Sequence, residues 1–127
     1  MIRIKRNPDV IKPLFMDHDG VLVMRNQDDG ELEDFFDKKS IKILNEIISE
    51  SDCEIVISSD WRNHYTLKAM GDIYENSGII KKPIAYTPDL WTKNSNVNDL
   101  EKIRSLEIET WLIRNNISNN WCAVDDM

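Results

Sequence analysis

The chain has 127 residues, 41% of them hydrophobic and 31% charged, and a formal net charge of −7. That length and apolar fraction support one folded domain with a real core and argue against disorder. The negative charge excludes broad binding to nucleic acid or anionic membrane through a basic surface, while leaving room for a local basic rim around one site.

No apolar run approaches the roughly 20 residues that cross a bilayer. Met1-Ile2-Arg3-Ile4-Lys5-Arg6 lacks the apolar stretch of a secretory signal, so a cytoplasmic location with no membrane partner is expected. Ile2 and Ile4 alternate with basic residues as in a short edge strand, which Asn7-Pro8 stops. Pro13 opens a first core strand, Leu14-Phe15-Met16, that runs to about Asp17 and ends abruptly in Asp17-His18-Asp19-Gly20. Val21-Leu22-Val23-Met24 follows, and Asp29-Gly30 is a hairpin-turn signal, so a small flap is expected just past the acidic pair. Residues 28–37 are strongly acidic and read as a solvated loop face.

Residues 38–50 read as a helix whose Ile41, Leu44, Ile47 and Ile48 make one apolar stripe. Ser51-Asp52 turns the chain into a β-branched strand, Glu54-Ile55-Val56-Ile57, which ends at Ser58-Ser59-Asp60. Trp61-Arg62-Asn63-His64 leads into a helix to about Ser77, with Gly78 as its stop. Ile79-Ile80 or Ile84-Ala85-Tyr86 supplies a third strand, and residues 87–88 and 92–98 read as loop. A helix over residues 98–115 places Ile103, Leu106, Trp111 and Leu112 inward. Asn119-Asn120 turns into a fourth strand, Trp121-Cys122-Ala123-Val124, which ends at Asp125-Asp126. Cys53 and Cys122, each beside an expected strand, read as reduced core or near-core thiols. Trp61, Trp111 and Trp121 are expected in the core, and Trp91 on a freer loop. Strands alternating with helices predict an α/β domain with a mainly parallel sheet.

Three strands thus end in polar groups: Asp17 and Asp19, Ser58 and Ser59, and Asp125 and Asp126. In a parallel sheet these ends share the edge where ligands bind. A carboxylate cluster with few competing N or S ligands suits a hard cation, Mg²⁺ first. Hydroxyls and a cationic side chain alongside suit a phosphate, and together these are the parts of phosphoryl transfer.

On these residues the chain resembles the haloacid dehalogenase (HAD) superfamily of aspartyl-phosphate phosphohydrolases. Asp17-His18-Asp19-Gly20-Val21 matches its first motif, Ile55-Val56-Ile57-Ser58 its second, and Ala123-Val124-Asp125-Asp126 its fourth. The third motif is only a Lys or Arg near a helix start. Ser58-Ser59-Asp60-Trp61-Arg62, with Arg104 ahead of Ile108 and Trp111-Leu112, is similar to a subgroup of small phosphatase-like domains found with RNA-repair proteins and in phages. The resemblance implies a three-layer Rossmann-like domain with helices on both faces, capless or with a small flap. It implies a Mg²⁺-dependent phosphohydrolase in which Asp17 attacks phosphorus and Asp19 serves as acid and then base. The metal is held by Asp17, the Asp19 carbonyl and Asp125, with Asp126 orienting a water of the ion's shell. Ser58, with Ser59 beside it, binds the phosphoryl oxygens, and Arg104, with Lys102 as its rival, offsets their charge.

Arg62 either clamps substrate phosphate or pairs with an acidic neighbour, and His64 is a surface residue that could contact substrate. His18 stands where an apolar residue is commoner; alternation points it away from Asp17 and Asp19, as a packed or hydrogen-bonded side chain. The chain stops at Met127, one residue past the acidic pair, where relatives usually continue. The expectation is one domain over residues 1–127, minimal or truncated after the fourth motif. With only a flap and helices between the motifs, the site is expected to be open to a large substrate: a polynucleotide or nucleotide phosphate end, or a phosphoprotein. The rival functions are a phospho-acceptor receiver module, whose early acids would be adjacent, a catalytically inactive HAD-like scaffold or phosphate-binding module, and a phosphotransferase or phosphomutase, which shares every motif.

Overall fold

A computed structural model describes residues 11–19, 21–23 and 36–124. The expected N-terminal strand, the tip of the flap, and Asp125 and Asp126 lie outside the described residues. Within them the elements follow in α/β alternation: β1 (Pro13–Met16), α1 (Lys38–Ser51), β2 (Glu54–Ile57), α2 (Leu67–Ser77), β3 (Ala85–Tyr86), α3 (Leu100–Arg114) and β4 (Cys122–Val124). All three sheet pairings are parallel, and the strand order is β3-β2-β1-β4.

That order places the site. The chain builds outward from β1 through β2 to β3, then returns to the other side of β1 to lay down β4. Parallel crossovers are right-handed, so a reversal of direction sends the connecting helix to the opposite face. The two buried clusters agree. Leu14, Met16, Ile55 and Ile57 pack with Ile41, Leu44 and Ile48 of α1 and Met70 and Tyr74 of α2. Phe15 and Val56, pointing the other way, pack with Trp111 and Leu112 of α3. The result is three layers, with a switch point between β1 and β4, where a crevice opens at the carboxyl ends of the strands.

The helix ends are set by local chemistry. Asp37 caps α1, its carboxylate accepting from Ser40 N–H at 2.9 Å. Thr66 caps α2 through Ala69 N–H at 3.1 Å. Gly78 ends α2 at φ 92°, where an L side chain is strained, and Gly78 N–H to Glu75 O and Ile79 N–H to Tyr74 O complete a Schellman turn. The third strand is Ala85–Tyr86 rather than Ile79-Ile80, because Ile79 is spent closing that turn.

Three side-chain expectations are corrected. Leu106 is exposed; α3 turns Arg104, Glu107, Trp111 and Leu112 inward instead. These positions recur at helical spacing, and Glu107 tolerates burial by pairing with Arg62 and standing 3.9 Å from Arg104. Cys122 is exposed, because β4 is the described edge of the sheet, whereas Cys53 is buried as expected. Trp121 is also exposed for that reason, although its ring meets Phe15 edge-on at 5.8 Å. Among the described residues, no helix is long and apolar enough to cross a membrane.

Candidate active site

Asp17 follows β1 directly, and Ser58 follows β2. Met16 pairs in register with Ile57, and Ser58 N–H donates to Met16 O at 2.9 Å, so Asp17 and Ser58 are neighbours one step past the paired strands. On the other side, Asp17 N–H donates to Val124 O at 3.1 Å, tying β1 to the end of β4. Strand alternation carried one residue further puts Asp17 and Ser58 on the α3 face and His18 and Ser59 on the opposite one. The Asp17 side chain is buried, with Oδ1 accepting from His18 N–H at 2.9 Å.

His18 behaves as a packed residue. It is fully enclosed by Phe36, Trp61 and Tyr74, with ring centroids 5.7, 4.6 and 5.7 Å away, and its Nε2 meets Tyr74 Oη at 2.6 Å. Burial lowers its pKa to about 3, so the imidazole is neutral. Its carbonyl accepts from the N–H groups of Val21, Leu22 and Val23 at 3.1, 2.9 and 2.9 Å. The aromatic seat therefore anchors the tight turn that carries Asp19, which is exposed at the rim and bridges to Val23. Val23 also bridges antiparallel to Phe36, as expected at the base of a flap.

The two serines differ. Ser58 is buried, and its Oγ has no hydrogen-bond partner among the described residues. Ser59 is buried with its Oγ accepting from Trp61 N–H at 3.2 Å, capping the 3₁₀ turn Asp60–Asn63. Arg104 reaches from α3 to donate from Nη1 to Ser58 O at 2.9 Å and is buried, while Lys102, two residues earlier, is exposed. His64 is exposed at the end of the 3₁₀ turn. Arg62 points inward, pairing with Glu107 at 2.6 Å and Asp89 at 3.2 Å and donating to Thr87 Oγ1 at 3.2 Å.

The structure thus brings Asp17, Ser58 and Arg104 to one edge. It also brings in two residues absent from the sequence reading. Thr87, just past β3, is a third buried hydroxyl at the strand ends. Glu107 is 1% exposed between two arginines. Burial raises its pKa, opposed by the Leu90 N–H and by Arg62 and Arg104. The signal for Glu107 was its place three residues after Arg104 and four before Trp111, on the same helical face. Thr87 gave no such signal, since Thr-Pro reads as loop.

Among the described residues, no group of three His, Cys, Asp or Glu side chains is placed to hold a metal. The donors at this edge are all oxygen (the Asp17 carboxylate, nearby carbonyls and the unpartnered Ser58 hydroxyl), a set that fits a hard cation rather than zinc or copper.

A family model described as the HAD domain in Swiss Army Knife RNA repair proteins matches residues 13–127. No curated protein and no solved structure matches the chain. The match spans both aspartates of the first motif, all four described strands and the acidic end of the chain. This chain therefore belongs to the HAD superfamily, in the family of HAD domains of Swiss Army Knife RNA repair proteins.

Proposed function

We propose that the protein is a Mg²⁺-dependent phosphohydrolase that works through an aspartyl phosphate on Asp17. The observation that carries this is a buried carboxylate at the end of β1, beside a buried and unpartnered Ser58 hydroxyl and an arginine whose guanidinium is held at the Ser58 carbonyl. An anionic nucleophile and a phosphate dianion meet only where cations and donors offset their repulsion. Ser58 Oγ donates to a phosphoryl oxygen, and Arg104 offsets its charge. Ser59 serves as the cap behind it.

In the first step an Asp17 oxygen bonds to phosphorus as the ester P–O bond breaks, and the Asp19 carboxyl gives its proton to the departing oxygen. In the second, the Asp19 carboxylate takes a proton from water, whose oxygen displaces Asp17 from phosphorus and releases inorganic phosphate. An exposed Asp19 on an anchored turn suits both duties. Asp17, the Asp19 carbonyl, Asp125 and Asp126 are the residues that would hold Mg²⁺, which would supply positive charge to offset the anions that meet there.

Residues 58–124 hold helices and short loops with no inserted cap domain, which supports a large substrate. The family description and this open edge favour a polynucleotide or nucleotide phosphate end. The test is phosphate release from an aryl phosphate and a 3′-phosphorylated oligonucleotide, with Mg²⁺, with chelator, and for Asp17→Asn. Turnover that needs Mg²⁺ and disappears with the Asn substitution is expected. Cleavage of the aryl ester alone would reject the nucleic-acid end, and absence of both turnover and Mg²⁺ binding would leave an inactive scaffold.

A further inference from the structure

Arg62 and Arg104 are both nearly enclosed, with side chains 5% and 8% exposed. Two buried cations on one side of a sheet need anions near them. Glu107 supplies one and treats the two arginines unequally. Its Oε2 accepts from Arg62 Nη2 at 2.6 Å and from Leu90 N–H at 2.8 Å. Its Oε1 stands 3.9 Å from Arg104 Nη1, which donates instead to the neutral Ser58 carbonyl at 2.9 Å. Asp89 gives Arg62 a second carboxylate at 3.2 Å, whereas among the described residues the other acid near Arg104 is Asp60, at 3.8 Å and largely exposed. Among the described residues, Arg62 is thus neutralised at contact distance, and Arg104 is not. A guanidinium already matched by carboxylates has little charge to offer a phosphate dianion.

We propose, resting on the phosphohydrolase reading above, that Glu107 is a positioning residue that partitions the two arginines. It engages Arg62 as a structural cation and ties residues 87–90 to α3. It leaves Arg104 held at the Ser58 end of the site with its charge available for the phosphoryl group. Glu107 touches no substrate; it acts through Arg104. Arg62 is then no phosphate clamp, although it is buried in the same network.

The test is the affinity for inorganic phosphate, measured calorimetrically with Mg²⁺ present, for the full chain and for Arg62→Met, Glu107→Gln and the double variant, with thermal unfolding of each. Arg62→Met leaves Arg104 as the near cation for Glu107; the pair closes, and phosphate affinity falls about tenfold or more. Adding Glu107→Gln removes the competing anion, and affinity returns to within about threefold of the parent. A residue that only supported the fold would give losses that add. A double variant as weak as Arg62→Met, or weaker, overturns the partition. If Arg62→Met does not fold, Arg62→Gln, which keeps a donor beside Glu107 but no charge, takes its place, alone and with Glu107→Gln. The same loss of about tenfold and the same return to within about threefold are expected, and a double variant as weak as the single one overturns the proposal. Phosphate binding needs no turnover. A chain that shows this pattern yet hydrolyses nothing fails the phosphohydrolase reading alone, and a parent chain that binds no phosphate overturns both.

Discussion

Ser58→Ala separates binding from folding. The Ser58 hydroxyl is buried and has no partner among the described residues. A buried polar group without a hydrogen bond costs roughly 1–3 kcal/mol of desolvation. Removing it relieves that cost at the loss of little packing. Stability is expected to hold or to rise by about 1 kcal/mol, which is roughly 3–6 °C in Tm for a domain of this size. Phosphate binding moves the opposite way. A hydrogen bond to a charged group contributes about 1.5–3 kcal/mol, so phosphate affinity is expected to fall roughly 10- to 100-fold. The neighbouring substitution is the control. Ser59→Ala loses the cap on Trp61 N–H and should destabilise by about 1 kcal/mol, its larger effect falling on stability. The assay is paired: thermal unfolding without phosphate, and calorimetric titration with it. A Ser58→Ala protein that melts several degrees lower yet binds phosphate as before would refute the reasoning.

Further outcomes follow from the packing. His18 has a folded pKa of about 3 against an ordinary 6.5, so the unfolded chain takes up a proton that the folded one refuses. Its contribution to stability is complete above about pH 6.5 and is lost as pH falls towards 3, at up to about 1.4 kcal/mol per pH unit. Denaturant melts across that window in chelator should show the slope, and His18→Phe should remove it. Gly78→Ala forces a side chain onto φ 92° and should cost about 1 kcal/mol in denaturant unfolding, with turnover unchanged. Leu112→Ala should cost about 2–4 kcal/mol, because among the described residues the cluster that seats α3 is small: Phe15, Val56, Trp111 and Leu112 are buried, with Ile11, Ala85, Ile108 and Ile117 packed against them. Phosphate affinity should fall with it, since α3 carries Arg104 and Glu107.

Much of the architecture was legible from local chemistry alone. Three apolar runs with polar endings imply parallel strands whose ends converge, and α2 stops at Gly78, where the residue type places its end. Asp17 and Ser58 could be named because a motif at a strand end needs no tertiary information: the strand delivers it to the crevice. Arg104 could be named only with Lys102 as a rival, because a helix start offers both and spacing alone does not say which one faces the sheet.

What the tertiary structure decided is the rotation of α3. Hydrophobicity pointed to Ile103 and Leu106, but the helix buries Arg104 and Glu107, because Arg62 and the Leu90 N–H come from distant parts of the chain to meet that carboxylate. Burial of a charge depends on partners that sequence separation hides, 45 residues away for Arg62. The same holds for Cys122, which lies on a strand whether or not that strand is an edge, and for Trp121 just before it. Local chemistry determines which residues form strands, helices and caps. Only the assembled sheet determines which charged side chains can share its interior, and so which arginine is matched by carboxylates at contact distance.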